Sequence, residues 1–88
     1  MVWKVYLLRC CDGSLYCGVT KDVEARVATH NAGRGAKYTR SRLPVEVVAV
    51  SPDLEKRRAF QFEYHVKRLP ASQKCAAVLQ GKGAGGVD

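Results

Sequence analysis

Residues 3 to 10 and 15 to 19 alternate between apolar and polar side chains as half-buried strands do, and Asp12-Gly13 between them signals a hairpin. The odd-numbered positions Trp3, Val5, Leu7, Leu15, Cys17 and Val19 are the more uniformly apolar set, with Arg9 the exception. For that set to share one face, paired residue numbers must sum to an even number. A two-residue loop of Asp12-Gly13 gives an odd sum and opposes Leu7 to Gly18. A three-residue loop, Cys11-Asp12-Gly13 with Gly13 left-handed, gives an even one. The bulged turn is therefore expected. It sets Tyr6, Tyr16 and Gly18 together on the face opposite the apolar set.

Beyond the hairpin, Thr20 or Asp22 caps a helix running to about His30, with Val23, Val27 and Ala28 toward the sheet. Arg26 and His30 stand four apart and so stack on one side of it. A loop rich in Gly and Arg follows from Asn31 to Pro44. The apolar run from Val45 to Val50 predicts a third strand, buried on both faces. Ser51-Pro52 is read as the start of a second helix ending at Leu69, and Ser72 to Gln80 as a third, stopped by Gly81. The expected fold is α+β: a small three-stranded antiparallel sheet flanked by about three helices. Residues 1–80 form a single domain in this reading, and 81–88 a flexible glycine-rich tail.

A chain of 88 residues accommodates one small core. Hydrophobic content of 47% and charged content of 26% exclude a disordered or membrane-embedded class. No apolar run approaches a membrane span, and Met1-Val2-Trp3-Lys4 lacks the order of a secretory signal, so a cytoplasmic protein without membrane attachment is expected. The net charge of +7 favours a polyanionic partner, nucleic acid first. Cys10, Cys11, Cys17 and Cys75 contain no C-x-x-C pair, which argues against a zinc or disulfide framework.

Charge and pattern together single out a few side chains. On a helical wheel, Glu63 falls inside the apolar arc of Ala59, Phe60, Phe62, Tyr64, Val66 and Leu69. A carboxylate turned toward a core requires a cation, either Arg26 or a divalent metal with a mostly aqueous shell. Tyr6 and Tyr16 each have an ordinary reading as strand residues that wet their hydroxyls. The functional reading rests on both hydroxyls sharing a face beside Arg26 and His30. A tyrosine acting as a base needs a cation close by, because its free pKa lies near ~10. His30 either satisfies a helix C-terminus or backbone carbonyl, or moves protons. Arg34, Lys37, Arg40 and Arg42, with Tyr38 among them, form a candidate phosphate track from Gly33 to Arg42; the alternative is a solvated basic loop.

In combination these residues resemble the GIY-YIG nuclease superfamily, and within it the small standalone bacterial proteins similar to the catalytic domain of the Slx1 structure-specific endonucleases. The two signature triplets stand as Val5-Tyr6-Leu7 and Tyr16-Cys17-Gly18. Gly18-Val19-Thr20, Arg26, His30-Asn31 and the stretch Gly33 to Arg40 continue the likeness, and Glu63 stands where the family keeps its metal-binding glutamate. The resemblance implies a metal-dependent endonuclease acting on DNA, branched or single-stranded, in repair or recombination. It implies one Mg²⁺ or Mn²⁺ on Glu63 and the scissile phosphate, Tyr6 as general base with Tyr16 assisting, Arg26 on the phosphate charge, and His30 supporting proton transfer. No asparagine follows Glu63, so a further site residue of some branches has no counterpart. No separate targeting domain accompanies these residues, so target choice is expected from DNA shape, from a protein partner, or hardly at all. A non-catalytic or partner-dependent nucleic-acid-binding module is the competing expectation.

Overall fold

In the computed structural model, which describes residues 2–81, the hairpin has the register that its parity demands. Strand β1 (Lys4–Arg9) runs antiparallel to β2 (Leu15–Thr20), with Val5 opposite Val19 and Leu7 opposite Cys17. The turn is the three-residue form. Cys10 N–H donates to Ser14 O at 2.8 Å, Gly13 N–H donates to Cys10 O at 2.9 Å, and Gly13 adopts a φ of 87°. The Asp12 carboxylate accepts from the Ser14 amide at 3.0 Å and hydroxyl at 2.6 Å, so a side chain closes the turn as well.

Strand β3 (Glu46–Val50) pairs antiparallel with β1, giving the order β2-β1-β3. The third strand was expected to be buried on both faces; it is instead an edge strand, with Val47 38% exposed and Ala49 its one buried residue. An apolar run does not reveal which strand is central. That strand is β1, whose residues Val5, Tyr6, Leu7 and Leu8 are all buried.

Helices cover both faces, four among the described residues where about three were expected. Helix α1 (Val23–Asn31) is capped by Asp22, whose carboxylate accepts from Ala25 N–H at 3.1 Å. Val23 and Val27 pack inward, while Ala28 is exposed. The expected loop contains one helical turn, α2 (Lys37–Arg40). Helix α3 (Lys56–Lys67) begins later than the Ser51-Pro52 signal implied, because those residues extend the sheet edge. The Ser51 hydroxyl accepts from Val5 N–H at 2.9 Å, and Leu54 exchanges backbone bonds of 2.7 and 2.8 Å with Trp3. Helix α4 (Ala71–Gln80) ends at Gly81, left-handed at φ 71°. Residues 82–88 of the expected tail lie outside the described residues.

Two apolar cores result. Val5, Leu7, Cys17 and Ala49 pack against Ala59, Phe62, Val66 and Val78 of α3 and α4. On the other face Tyr6, Leu8, Cys10 and Val45 meet Val23, Val27 and Leu43. The sheet therefore separates an α1 side, which holds the tyrosines, from an α3 side, which holds Glu63.

Candidate active site

Tyr6 and Tyr16 lie together on the α1 side, their ring centroids 6.4 Å apart. His30, in the last turn of α1, is fully buried beside both rings. Its Nε2 is 3.1 Å from the Tyr6 hydroxyl and its Nδ1 is 2.8 Å from the Thr39 hydroxyl. Thr39 in turn donates to Ala36 O at 3.0 Å. A hydroxyl carries one proton, so Thr39 has none left for His30 and accepts from Nδ1–H instead. Nε2 then presents its lone pair, and Tyr6 donates to it. His30 is thus neither a helix cap nor a carbonyl partner; it stands in a hydroxyl–imidazole–hydroxyl chain.

Two glycines make that chain possible. Gly18 faces Tyr6 across β1 and β2, and a Cβ there would overlap the phenol, 2.6 Å from Cζ. A Cβ on Gly35 would overlap the His30 ring, 2.7 Å from Cγ. The room left by the missing side chain at Gly18 is filled by the Tyr6 ring itself. Nothing in the sequence pattern distinguishes Thr39 or Gly35, since their pairing with His30 is purely tertiary.

Electrostatics hold both groups neutral. Burial raises the Tyr6 pKa above its ordinary 10.0, opposed by a hydrogen bond from Arg26 and reinforced by neighbouring Tyr16. Burial, then the Arg26 charge, lowers His30 below 6.5. Arg26 itself is exposed, one turn before His30, with its guanidinium acting on the Tyr6 oxygen. The structure thus brings Tyr6, Tyr16, Arg26 and His30 together.

Glu63 approaches from the other side. Its side chain is 19% exposed, as the wheel anticipated, but its cation is Lys67, 3.3 Å away and one turn on, and not Arg26. Among the described residues, no hydrogen bond joins Glu63 to either phenol. Its charge is felt by the buried Cys17 thiol, which is pushed up to about 12 by burial first and by Glu63 next. A cleft of about 280 Å³ wraps the free edge of β2, lined by Leu15, Tyr16, Cys17, Tyr38, Lys67 and Lys74. Tyr16 and Tyr38 reach it from the α1 side and the Glu63 partner Lys67 from the α3 side. The edge strand is where the two halves meet.

Around the cleft, Arg34, Lys37, Tyr38 and Arg40 are exposed. Arg42 is committed: it pairs with Asp12 at 3.1 Å, donates to Tyr38 O at 2.7 Å and lies 4.0 Å over the Tyr38 ring. Tyr38 continues the aromatic file, 6.0 Å from Tyr16. Among the described residues no cluster of three or more His, Cys, Asp or Glu is placed to hold a metal, so Glu63 is a single carboxylate donor.

Residues 2–75 match the family model of the GIY-YIG catalytic domain, and the chain belongs to this family of nucleases. Its relatives are the small standalone bacterial UPF0213 proteins. It is 49% identical over 82 residues to the one from Nitratidesulfovibrio vulgaris, spanning 91% of this chain and 74% of that protein. It is 52% identical over 77 residues to one from Bacillus cereus, spanning 88% and 80%. The solution structure of a UPF0213 protein from Bacillus halodurans, 45% identical, superimposes with a TM-score of 0.51 over 84% of this chain and 79% of that one. No described helix is long and apolar enough to cross a membrane.

Proposed function

We propose that the chain is a metal-dependent endonuclease hydrolysing DNA phosphodiesters, with branched or single-stranded substrates in repair or recombination. The observation that carries this reading is the chain Thr39–His30–Tyr6 with Arg26 beside its end. A buried phenol is a poor base alone, since burial has raised its pKa. Hydrogen-bonded to the Nε2 lone pair, however, it can release its own proton to His30 as it takes one from water. The Tyr6 oxygen then never rests as a free phenolate. Tyr6 is buried as a whole, and the exposed group beside its hydroxyl is Arg26, so an attacking water would have to approach from that side. Arg26 bonded to a phosphate oxygen opposes the negative charge that grows during attack. Tyr16, in the cleft, orients the water.

The donor set fits a magnesium or manganese ion. Such an ion keeps several waters and takes one or two carboxylates plus substrate phosphate, and Glu63 supplies one hard oxygen, paired to Lys67 of the cleft lining. When bound, it would polarise the phosphate and neutralise its charge. Lys67, 54% exposed, is free to swing off Glu63. Arg34, Lys37 and Arg40 bind the backbone through its phosphates without reading sequence, and Arg42 holds the Tyr38 platform. The four cysteines are unpaired, in keeping with a reducing cytoplasm.

The Lys67–Glu63 pair favours a second reading, a binding module whose site works only beside a partner. Incubation with flap, fork and single-stranded DNA and Mg²⁺ or Mn²⁺ separates the two. We expect metal-dependent cleavage that falls by about 10²- to 10⁴-fold in Tyr6→Phe and disappears in Glu63→Gln. Cleavage that both variants retain overturns the site, and binding without cleavage selects the module.

A further inference from the structure

Helix α3 presents a second feature, on the side away from its core-facing residues. Lys56, Phe60, Tyr64 and Arg68 succeed one another at intervals of four and so form one ridge. Phe60 is 46% exposed and Tyr64 59%, far more than the packed aromatic Phe62 of the same helix at 4%. Trp3 adjoins the ridge at its N-terminal end, its ring 5.6 Å from Phe60 and attended by Lys21 at 5.3 Å and Lys56 at 5.7 Å. At the other end the Arg68 guanidinium lies 5.4 Å from the Tyr64 ring centre and donates to its hydroxyl at 2.8 Å. Glu63 is on the neighbouring row of the helix, between this ridge and the core.

Exposed aromatics of this size ask for a partner, and their surroundings limit which one. The segment 56–68 carries Lys56, Arg57, Arg58, Lys67 and Arg68 against the single acid Glu63. A second copy of the chain laid on this face would oppose like charges, whereas a polyanion with flat apolar faces complements it. Phe60 and Tyr64 are about 6 Å apart along the helix axis, against roughly 3.4 Å between nucleotides of one strand in a duplex. That spacing suits splayed bases and not a continuous stack. We propose that the ridge Lys56–Phe60–Tyr64–Arg68, with Trp3 at its end, is a stacking surface for unpaired nucleotides that leads the strand past Glu63. The class of substrate rests on the nuclease reading; the contact between aromatic faces and bases is independent of it.

The test measures binding of a short labelled single strand and of a duplex of equal length, in EDTA so that nothing is cleaved. Phe60→Leu/Tyr64→Leu keeps apolar bulk but removes the flat faces, and Phe60→Tyr/Tyr64→Phe keeps them. Thermal melts confirm that both variants fold. Stacking on the ridge requires the leucine variant to lose about tenfold or more in single-strand affinity, with duplex binding little changed and the conservative variant like wild type. The single tryptophan serves as an internal probe, its fluorescence shifting on single-strand binding. Equal single-strand affinity in wild type and the leucine variant overturns the proposal, even if wild type cleaves DNA. So does an equal loss on duplex, or a dimer that the leucine variant dissolves. Aromatic-dependent binding without cleavage on any substrate keeps the ridge and removes the nuclease reading instead.

Discussion

The α1 side and the α3 side of the sheet hold their polar groups in opposite ways. On the first, Tyr6, His30 and Thr39 are buried and joined by bonds of 3.1 and 2.8 Å, with Gly18 and Gly35 cleared for their rings. On the second, Glu63 is partly exposed and held at 3.3 Å by the solvent-facing Lys67. A buried network fixes proton positions before any ligand arrives. A surface pair of this kind contributes little to stability and yields readily to a competitor. In the proposed nuclease, the proton chain would be built in and the cation would gain Glu63 by displacing Lys67.

After Tyr6 and Glu63 themselves, the largest expected effect comes from Arg26, whose charge reaches both buried groups on the α1 side. Arg26→Ala should lower the cleavage rate by about 10²- to 10³-fold, as loss of a transition-state donor does. It should also change the pH profile in a definite direction. Arg26 depresses the His30 pKa, so its removal lets the acid limb rise toward 6.5. In wild type that limb should lie below 6.5, since a His30 that accepts a proton must first be neutral. Stability follows the same group. The unfolded chain binds the His30 proton more readily than the folded one, so stability is fully present above 6.5 and is lost as pH falls toward the lowered native value. Melting temperature recorded against pH checks the sign.

Thr39→Val should act next. It keeps shape but leaves His30 Nδ1–H buried without an acceptor, which costs about 1–3 kcal/mol of stability and frees the ring to take the other tautomer. A denaturation curve measures the first effect. Cleavage that falls in valine and recovers in Thr39→Ser shows the second as a matter of hydroxyl and not of packing. The smallest effect belongs to Lys67, the partner of Glu63 on the α3 side. Lys67→Ala should leave stability nearly unchanged and reduce the Mg²⁺ concentration needed for half-maximal cleavage. An increase would mean that Lys67 helps the site and does not compete for Glu63.

Parity made the hairpin readable: only an even register gathers Leu7, Cys17, Val5 and Val19 on one face, and that register alone brings Tyr6 beside Tyr16. Asp22 and Gly81 were legible because capping is local. Other features depend on which strand ends up in the middle. Val45 to Val50 looked central, yet β1 took that place, and Ser51 and Leu54 were drawn into its edge when a cap had been expected there. The same division runs through the site. Glu63 at the margin of a core follows from a helical wheel, whereas Lys67 as its partner competes with every other cation nearby. Thr39 reaches His30 only because α2 folds back, and nothing in its spacing announces that.

The proposed chemistry requires Tyr6 to point its proton at a neutral His30, and nitrogen chemical shifts of the His30 ring read that directly. At neutral pH the spectrum should show Nδ1 protonated and Nε2 bare, with the pattern disturbed in Thr39→Val. A proton on Nε2, or an imidazolium at neutral pH, would contradict the account.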